Sequence, residues 1–336
     1  MTIRPFILLL TSCFLLMLGY GLSNILLPVR MQNDGVNLNS IGLVLSMLSV
    51  GFLIGAIYSR KLLQRVGHIR IFAMCGSLTS VAILLSGLYP EPIILGCMRI
   101  ITGFCIACAN ATIDSWLSHS ATEKNRGRIL SINQMVIMSA LFAGQFLLNF
   151  APINDITLFI IAGILLSLSI TPIVISKQQG PQVEDSQSMS LITIFKLSPL
   201  GVVSCFYCGL LYAGLLNMLP IFASDNGIKD LNLSIFMGSA IFGAIILQFP
   251  IAYLSDHFDR RKIMLAMVLT LILLSLLVPL LIALAMFNFS LLAIAVITGM
   301  TAGLYPMSMS ETFDKVLKEQ ILAAMSSLLL IYALGS

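Results

Sequence analysis

Arg99 is the one charged residue in an otherwise apolar stretch, 93–113. A guanidinium keeps its proton at any working pH and offers five N–H donors in a flat fork. On a membrane-spanning helix it therefore grips an anionic group or tunes a coupling step, or it snorkels back to the headgroups about two turns away. Placing it there costs about 3 kcal/mol even on the lenient insertion scale, and such residues are rarely idle. At about 100° per residue, Arg99, Gly103, Ile106, Asn110 and Asp114 share one narrow stripe, which predicts a cavity-facing edge with charge at both ends. Tyr20 and Asn24, spaced i,i+4, share a helix face of their own. Tyr212, Asn217 and Tyr305 are the further polar or aromatic candidates, and their rings serve equally as packing or interfacial anchors.

These residues sit in a chain that composition places in lipid. Hydrophobic residues make up 58% and charged ones 10%, with a mean hydropathy of +1.02. A soluble domain carries roughly 25% charged residues, so a multi-pass integral membrane protein is expected. Apolar runs recur at 5–28, 40–59, 70–89, 93–113, 129–150, 156–175, 199–223, 233–254, 263–287 and 289–310, and an eleventh occupies 321–336. About 20 residues cross the hydrocarbon core, so the first ten runs are each long enough to span. Run 5–28 is too long for the apolar core of a cleavable leader and is read as the first span.

Basic residues set the orientation. With the N-terminus in the cytoplasm, the inner segments hold Arg4, Arg60, Lys61, Arg65, Arg70, Lys124, Arg126, Arg128, Lys177, Lys196, Arg260, Arg261, Lys262, Lys315 and Lys318, against Arg30 and Lys229 outside. The net charge of +4 is then topology, and no nucleic-acid partner is expected. His68, His119 and His257 fall in inner loops, and Asp114 and Glu311 near inner helix ends. No titratable carboxylate or histidine is therefore expected at mid-depth.

A tandem repeat organises the whole. A shift of 192 carries Tyr20 to Tyr212, Pro28 to Pro220, Gly35 to Gly227 and Gly51 to Gly243, and a shift of 196 carries Ile101-Thr102-Gly103 to Ile297-Thr298-Gly299. Duplicated bundles of this kind build many secondary transporters. The reading is an all-α membrane protein with an N-terminal six-helix bundle, 1–176, a flexible cytoplasmic linker, 177–196, and a second bundle, 197–336. Within residues 197–336 the repeat accounts for spans 7 to 10 and part of 11, with span 12 missing. The Gly51-x3-Gly55 and Gly299-x3-Gly303 pairs predict close helix contacts within a bundle, and Gln145 and Gln248 predict interhelical hydrogen bonds.

Enzymatic chemistry finds no support in the pattern. No His-Glu-x2-His or comparable cluster lies in any run, so neither catalysis, nor a cofactor, nor a metal is expected. The Cys105/Cys108 and Cys205/Cys208 pairs lack further ligands at metal spacing and read as small apolar packing residues.

The loops carry the remaining signal. Asp256, His257, Arg260 and Arg261 stand between spans 8 and 9, with Ala252 and Asp259 where glycines are usual; Arg65 and Gly67 stand between spans 2 and 3, with Gln64 at the acidic position. Arg99 with Gly103, Asp114 with Arg126-Gly127-Arg128, and Glu311 near the place matching Asp114 complete the set. Together these resemble the major facilitator superfamily across the whole chain, notably uncharacterised bacterial inner-membrane members. The resemblance implies alternating access by two rocking bundles around a cavity lined from spans 1, 4, 7 and 10, here by Tyr20, Asn24, Arg99, Asn110, Tyr212, Asn217 and Tyr305. It also implies a cytoplasmic gate built from Gln64, Arg65, Arg70, Asp114, Arg126, Arg128, Asp256, Arg260, Arg261 and Glu311. Asp114 is expected to cluster with Arg65, Arg70, Arg126 or Arg128, and Asp256 and Gln64 to reach the positive starts of spans 5 and 11. The alternative reading is that these charged residues only snorkel and set topology. The implied partners are a small-molecule substrate, membrane lipid and a coupling proton, for a monomer. The alternatives are a truncated, non-transporting remnant and a drug-efflux porter, the latter disfavoured because the Gly-Pro-rich span 5 motif is replaced by Ser139-Ala140-Leu141-Phe142-Ala143-Gly144-Gln145.

Overall fold

The computed structural model describes residues 4–120, 126–175, 190–316 and 321–336. Among these the chain is helical, with α1 (Arg4–Asn33), α2 (Leu38–Val66), α3 (His68–Leu88), α4 (Pro92–Ser120), α5 (Arg126–Phe146), α6 (Thr157–Leu168), α7 (Ile170–Ile175), α8 (Leu191–Leu197), α9 (Pro199–Asp225), α10 (Asp230–His257), α11 (Arg260–Ala283), α12 (Phe287–Phe313) and α13 (Ile321–Gly335). Ten described segments are long and apolar enough to cross a membrane, α6 and α7 counting as one. An internal hydrogen-bond ladder lets such segments cross hydrocarbon without unpaired backbone groups.

Several helices outrun their apolar stretches. Hydrocarbon thickness sets the apolar run, whereas a helix ends where its caps lie. α2 thus carries Arg60, Lys61 and Arg65 in its closing turns and stops at Gly67, whose φ of 87° lets its N–H return to Leu63 O. His68, expected in a loop, is instead the first residue of α3 and is buried. Asp259 also acquires a reason for not being glycine: its side chain accepts from the Arg261 N–H and caps α11.

By its internal contacts the chain divides between Glu184 and Asp185. This boundary lies within 177–196, but the stretch read as flexible linker also contains α8, whose Ile194 is fully buried with Val202, Cys205, Leu328 and Ile331. The short apolar segment Leu191-Ile192-Thr193-Ile194 follows directly on a polar stretch and is too brief to show a helical period.

In the first unit, α2 lies along α4 in its most extensive helix pair, α5 and α6 pack on α1, and α6 closes on α3. In the second, α10 pairs with α12, and α9 with α12 and α13. Small residues make the paired helices fit. A Cβ on Gly51 would meet Ile100 O at 2.0 Å and one on Gly103 would meet Leu48 O at 2.0 Å, while one on Gly243 would meet Ala295 O at 1.9 Å. Such backbone proximity is how membrane helices gain dispersion and Cα–H···O contact. The repeat persists in the turns: Gly35 donates to Gln32 O and Val36 to Met31 O, and at the same shift Gly227 donates to Ser224 O and Ile228 to Ala223 O. Both glycines have positive φ, 76° and 77°. Gln145 departs from expectation, since its Nε2 donates to Leu141 O on its own helix.

Candidate functional site

α4 buries Arg99 to 4% exposure inside the first unit, which removes the snorkelling alternative. Its Nη1 donates to Asn24 Oδ1 on α1 at 2.7 Å. Tyr20, one turn earlier on α1, is hydrogen-bonded to the Asn24 side chain and lies near enough to Arg99 to act on it electrostatically. Three of the residues singled out in sequence therefore form one connected group. Among the described residues Nε and Nη2 of Arg99 have no hydrogen-bond partner, and Arg99 lines a small crevice with Ser23, Leu27, Ile83, Ser86, Met98, Thr102 and Phe159.

The rest of the α4 stripe is not a single lining. Gly103 is turned against α2, Ile106 is buried, and Asn110 is half-buried, its Oδ1 without a partner among the described residues. At Gly103 the stripe coincides with the edge along which α2 lies. Asp114 is exposed and accepts from Asn133 Nδ2 on α5 at 2.9 Å. Arg65 and Arg70 are exposed, and among the described residues neither pairs with Asp114. Gln64 is exposed and has partners of its own. The side chains of Arg126, Arg128 and Asp256 lie outside the described residues.

In the second unit, Tyr305 of α12 meets Tyr332 of α13 edge-on, with ring centroids 5.1 Å apart at 66°. Tyr212 lies close to Tyr332, as do Cys205 and Cys208. Asn217 is half-buried on the same helix as Tyr212. The thiols satisfy the packing role expected of them: Cys205 Sγ donates to Leu328 O and Cys208 Sγ to Thr301 O, both at 3.2 Å, and Cys108 Sγ to Gly55 O at 3.8 Å.

At the end of this unit where α11 begins, Glu311 is buried and Lys315 Nζ donates to its Oε1 at 2.6 Å. Arg261 Nε approaches the same oxygen at 3.8 Å, and Arg260 pairs with Asp314. A buried carboxylate held by one close and one looser cation is a closed charge network. Tyr332, Asn133, Asp314 and Lys315 were not singled out in sequence. Lys315 was within reach as an i,i+4 partner of Glu311, and Tyr332 as the lone aromatic residue of the eleventh apolar run. Nothing local marks Asn133. His68 was assigned to a loop; its Nε2 sits 3.1 Å from Ser115 Oγ and its ring meets Trp116 edge-on at 5.8 Å.

Outside the spans, Arg30 pairs with Asp34 at 2.9 Å and donates from Nη1 to Ile153 O at 3.2 Å, tying the end of α1 to the loop before α6. In that loop the Thr157 hydroxyl donates to Asp155 and holds its carboxyl below the ordinary carboxylate range.

A protein-family model described as Major Facilitator Superfamily matches residues 9–336. Relatives described as uncharacterised MFS-type transporter YcaD include one from Escherichia fergusonii, 28% identical over 99% of this chain and 86% of its own length. Another, from Escherichia coli O17:K52:H18, is likewise 28% identical with the same coverage. Similar solved structures include a bacterial homologue of the human lysosomal transporter Spinster, with a TM-score of 0.79 at 13% identity, covering 100% of this chain and 80% of that one. The nucleoside transporter NupG gives a TM-score of 0.76 at 14% identity, covering 99% and 87%. A D-xylose-proton symporter gives 0.75 at 15% identity, covering 99% and 88%.

Proposed function

Because the chain belongs to the major facilitator superfamily, whose pattern extends over residues 9–336, we propose that it is a secondary active transporter of a small organic solute working by alternating access of its two bundles. The observation that carries this reading is the Tyr20–Asn24–Arg99 group, a cationic and amphipathic cluster set by α1 and α4 at a depth where polar groups are costly unless they serve a purpose. Asn110, Tyr212, Asn217, Tyr305 and Tyr332 are the further solute contacts in this reading. Arg99 favours a solute with an anionic group. The Asp114–Asn133 hydrogen bond and the Glu311 ion pairs act as a cytoplasmic gate in this reading, because such contacts must be exchanged for hydration whenever their end opens.

In this reading the N-terminus is cytoplasmic, which the excess of basic residues in the inner segments supports, and the protein works as a monomer in a bacterial inner membrane. A proton gradient is the proposed driving force, supported by the description of one fold neighbour as a proton symporter. The test is uptake by the purified chain reconstituted in liposomes, offered a panel of small carboxylates, pentoses and nucleosides under an imposed proton gradient. Saturable uptake of one class is expected, falling at least tenfold for Arg99→Ala. Uptake at the level of empty liposomes for every class, or equal uptake by the variant, would overturn the reading; uptake that survives collapse of the gradient would remove the proton.

A further inference from the structure

The chain turns where α8 meets α9. Ser198 leaves helical geometry, with φ −139° and ψ 75°, as a residue before proline tends to, and Pro199 opens α9. The Ser198 N–H closes α8 on Ile194 O at 2.9 Å, and the Val202 N–H starts α9 on Ser198 O at 3.1 Å. α8 is therefore a separate helix and not the first turns of the span. Its seven residues measure about 10 Å, far short of a crossing. The 27 residues of α9 measure about 40 Å, enough to cross the hydrocarbon alone. The surplus of α9 lies at its polar end, Ser224 and Asp225, whereas Leu200 and Val203 at its start are apolar and exposed. α8 accordingly stands at the membrane boundary, one residue from the start of the span.

Its surface suits that place. Ile194 is fully buried with Val202, Leu328 and Ile331 of the second unit. At about 100° per residue, Leu191, Phe195 and Ile192 follow Ile194 round the helix within an arc of about 100°, and Lys196 comes about 40° after Ile192. Ile192 is 69% exposed and Phe195 50%. Thr193, also exposed, lies about 100° beyond Ile192, away from the apolar arc. Such an arc is a liability in water, and in sequence it runs straight on into the exposed Leu200 and Val203 of the span. A lysine at the edge of an apolar arc can lay its stem along acyl chains while its ammonium reaches the headgroups.

We propose that α8 is a membrane-surface anchor: Leu191, Ile192 and Phe195 seat between headgroups and acyl chains of the leaflet where α9 begins, with Lys196 on an anionic lipid headgroup. Tethered to a span, the helix needs little affinity of its own to stay there. The anchor also holds Ser198, whose Oγ receives Lys315 Nζ at 3.5 Å while the same Nζ holds Glu311 at 2.6 Å. The seat of α8 and the Glu311 network thus share Lys315. The inference needs the chain to lie in a membrane and does not depend on transport of any solute.

The test is tryptophan fluorescence of the purified full chain in nanodiscs containing phosphatidylglycerol, quenched from the lipid by brominated acyl chains and from water by acrylamide. Trp116, the one tryptophan of the chain, is 1% exposed and gives a constant background. In Phe195→Trp and Ile192→Trp, lipid brominated high on the acyl chain is expected to remove about half of the added emission and acrylamide little of it, because such helices lie about 5–10 Å into the boundary. Thr193→Trp should show the reverse. In nanodiscs of phosphatidylcholine alone, lipid quenching of Phe195→Trp should fall, and adding Lys196→Gln should give that lower value in both lipids. Equal quenching of the three variants from water would place α8 in solvent and overturn the anchor. Quenching of Phe195→Trp and Ile192→Trp from neither side would mean that protein covers the face, and would overturn it too. A response to lipid charge that persists in Lys196→Gln, or is missing from its parent, would overturn the role of Lys196. None of these readouts requires uptake, so the anchor and the transport reading fail separately.

Discussion

Asn24 is the residue on which the Arg99 group turns, because it accepts from the guanidinium and bonds Tyr20 at once. Truncation by Asn24→Ala strands a further donor of a buried cation, and a loss of about 1–3 kcal/mol is expected, read from the unfolding midpoint in detergent. Asn24→Asp keeps the shape and adds the missing negative charge. If Arg99 is short of a counter-ion, that variant melts no lower than the parent; a clear drop in its unfolding midpoint would contradict it. At Glu311 the analogous change is Lys315→Met, which leaves the buried carboxylate with only the 3.8 Å approach of Arg261. Lys315 is partly exposed, so water replaces some of what is lost, and about 1 kcal/mol of destabilisation is expected by the same measurement. How much of this was legible is uneven. Arg99 announced itself by being charged in lipid, whereas Asn133 and Ser86 gave no sign, because an isolated polar residue in an apolar run bonds its own backbone as often as a neighbour.

Among the helices, the contact between α2 and α4 and its counterpart between α10 and α12 depend on the absence of side chains at a few positions. Gly103→Ala and Gly243→Ala each force a Cβ against a carbonyl that no rotamer can move, and a loss of 2 kcal/mol or more is estimated, roughly the upper range for overpacking. Gly214, with no atom within 4 Å of its would-be Cβ, is the internal control: Gly214→Ala is expected to be neutral or to stabilise by up to about 1 kcal/mol. Similar losses at all three positions in a thermal unfolding series would refute the packing argument. These contacts were readable as Gly-x3-Gly spacing, and the spans as apolar runs. Helix ends were not, since α2, α4 and α10 continue past the hydrocarbon into charged sequence, carrying Asp114 inside a helix. α8 was missed for the complementary reason, a seven-residue helix being too short to show a period beside a polar stretch.

Across the whole molecule, duplication was the most legible property, because it is written in spacing and not in any single residue. The structure repeats it at the level of individual turn hydrogen bonds at Gly35 and Gly227. Chemistry is not duplicated with the fold. The first unit buries a cation on α4 where the second has Ala295, and the second gathers Tyr212, Tyr305 and Tyr332 where the first has Ala140 in place of the last. Solute selection is therefore expected to be asymmetric. Replacing Tyr305 or Tyr332 by Leu should shift KM by several-fold, and an unchanged KM in both variants would argue against their part in solute selection.

Gly67 has a bearing on how the protein is made. A single residue joins α2 to α3, so the crossing direction of one helix dictates that of the other. Arg60, Lys61, Arg65 and Arg70 flank that bend and are expected to hold it on the side of synthesis. Orientation of the first unit would then be set twice, once by the leading helix and once by this bend, and a chain whose first helix starts the wrong way round would carry its own means of correction.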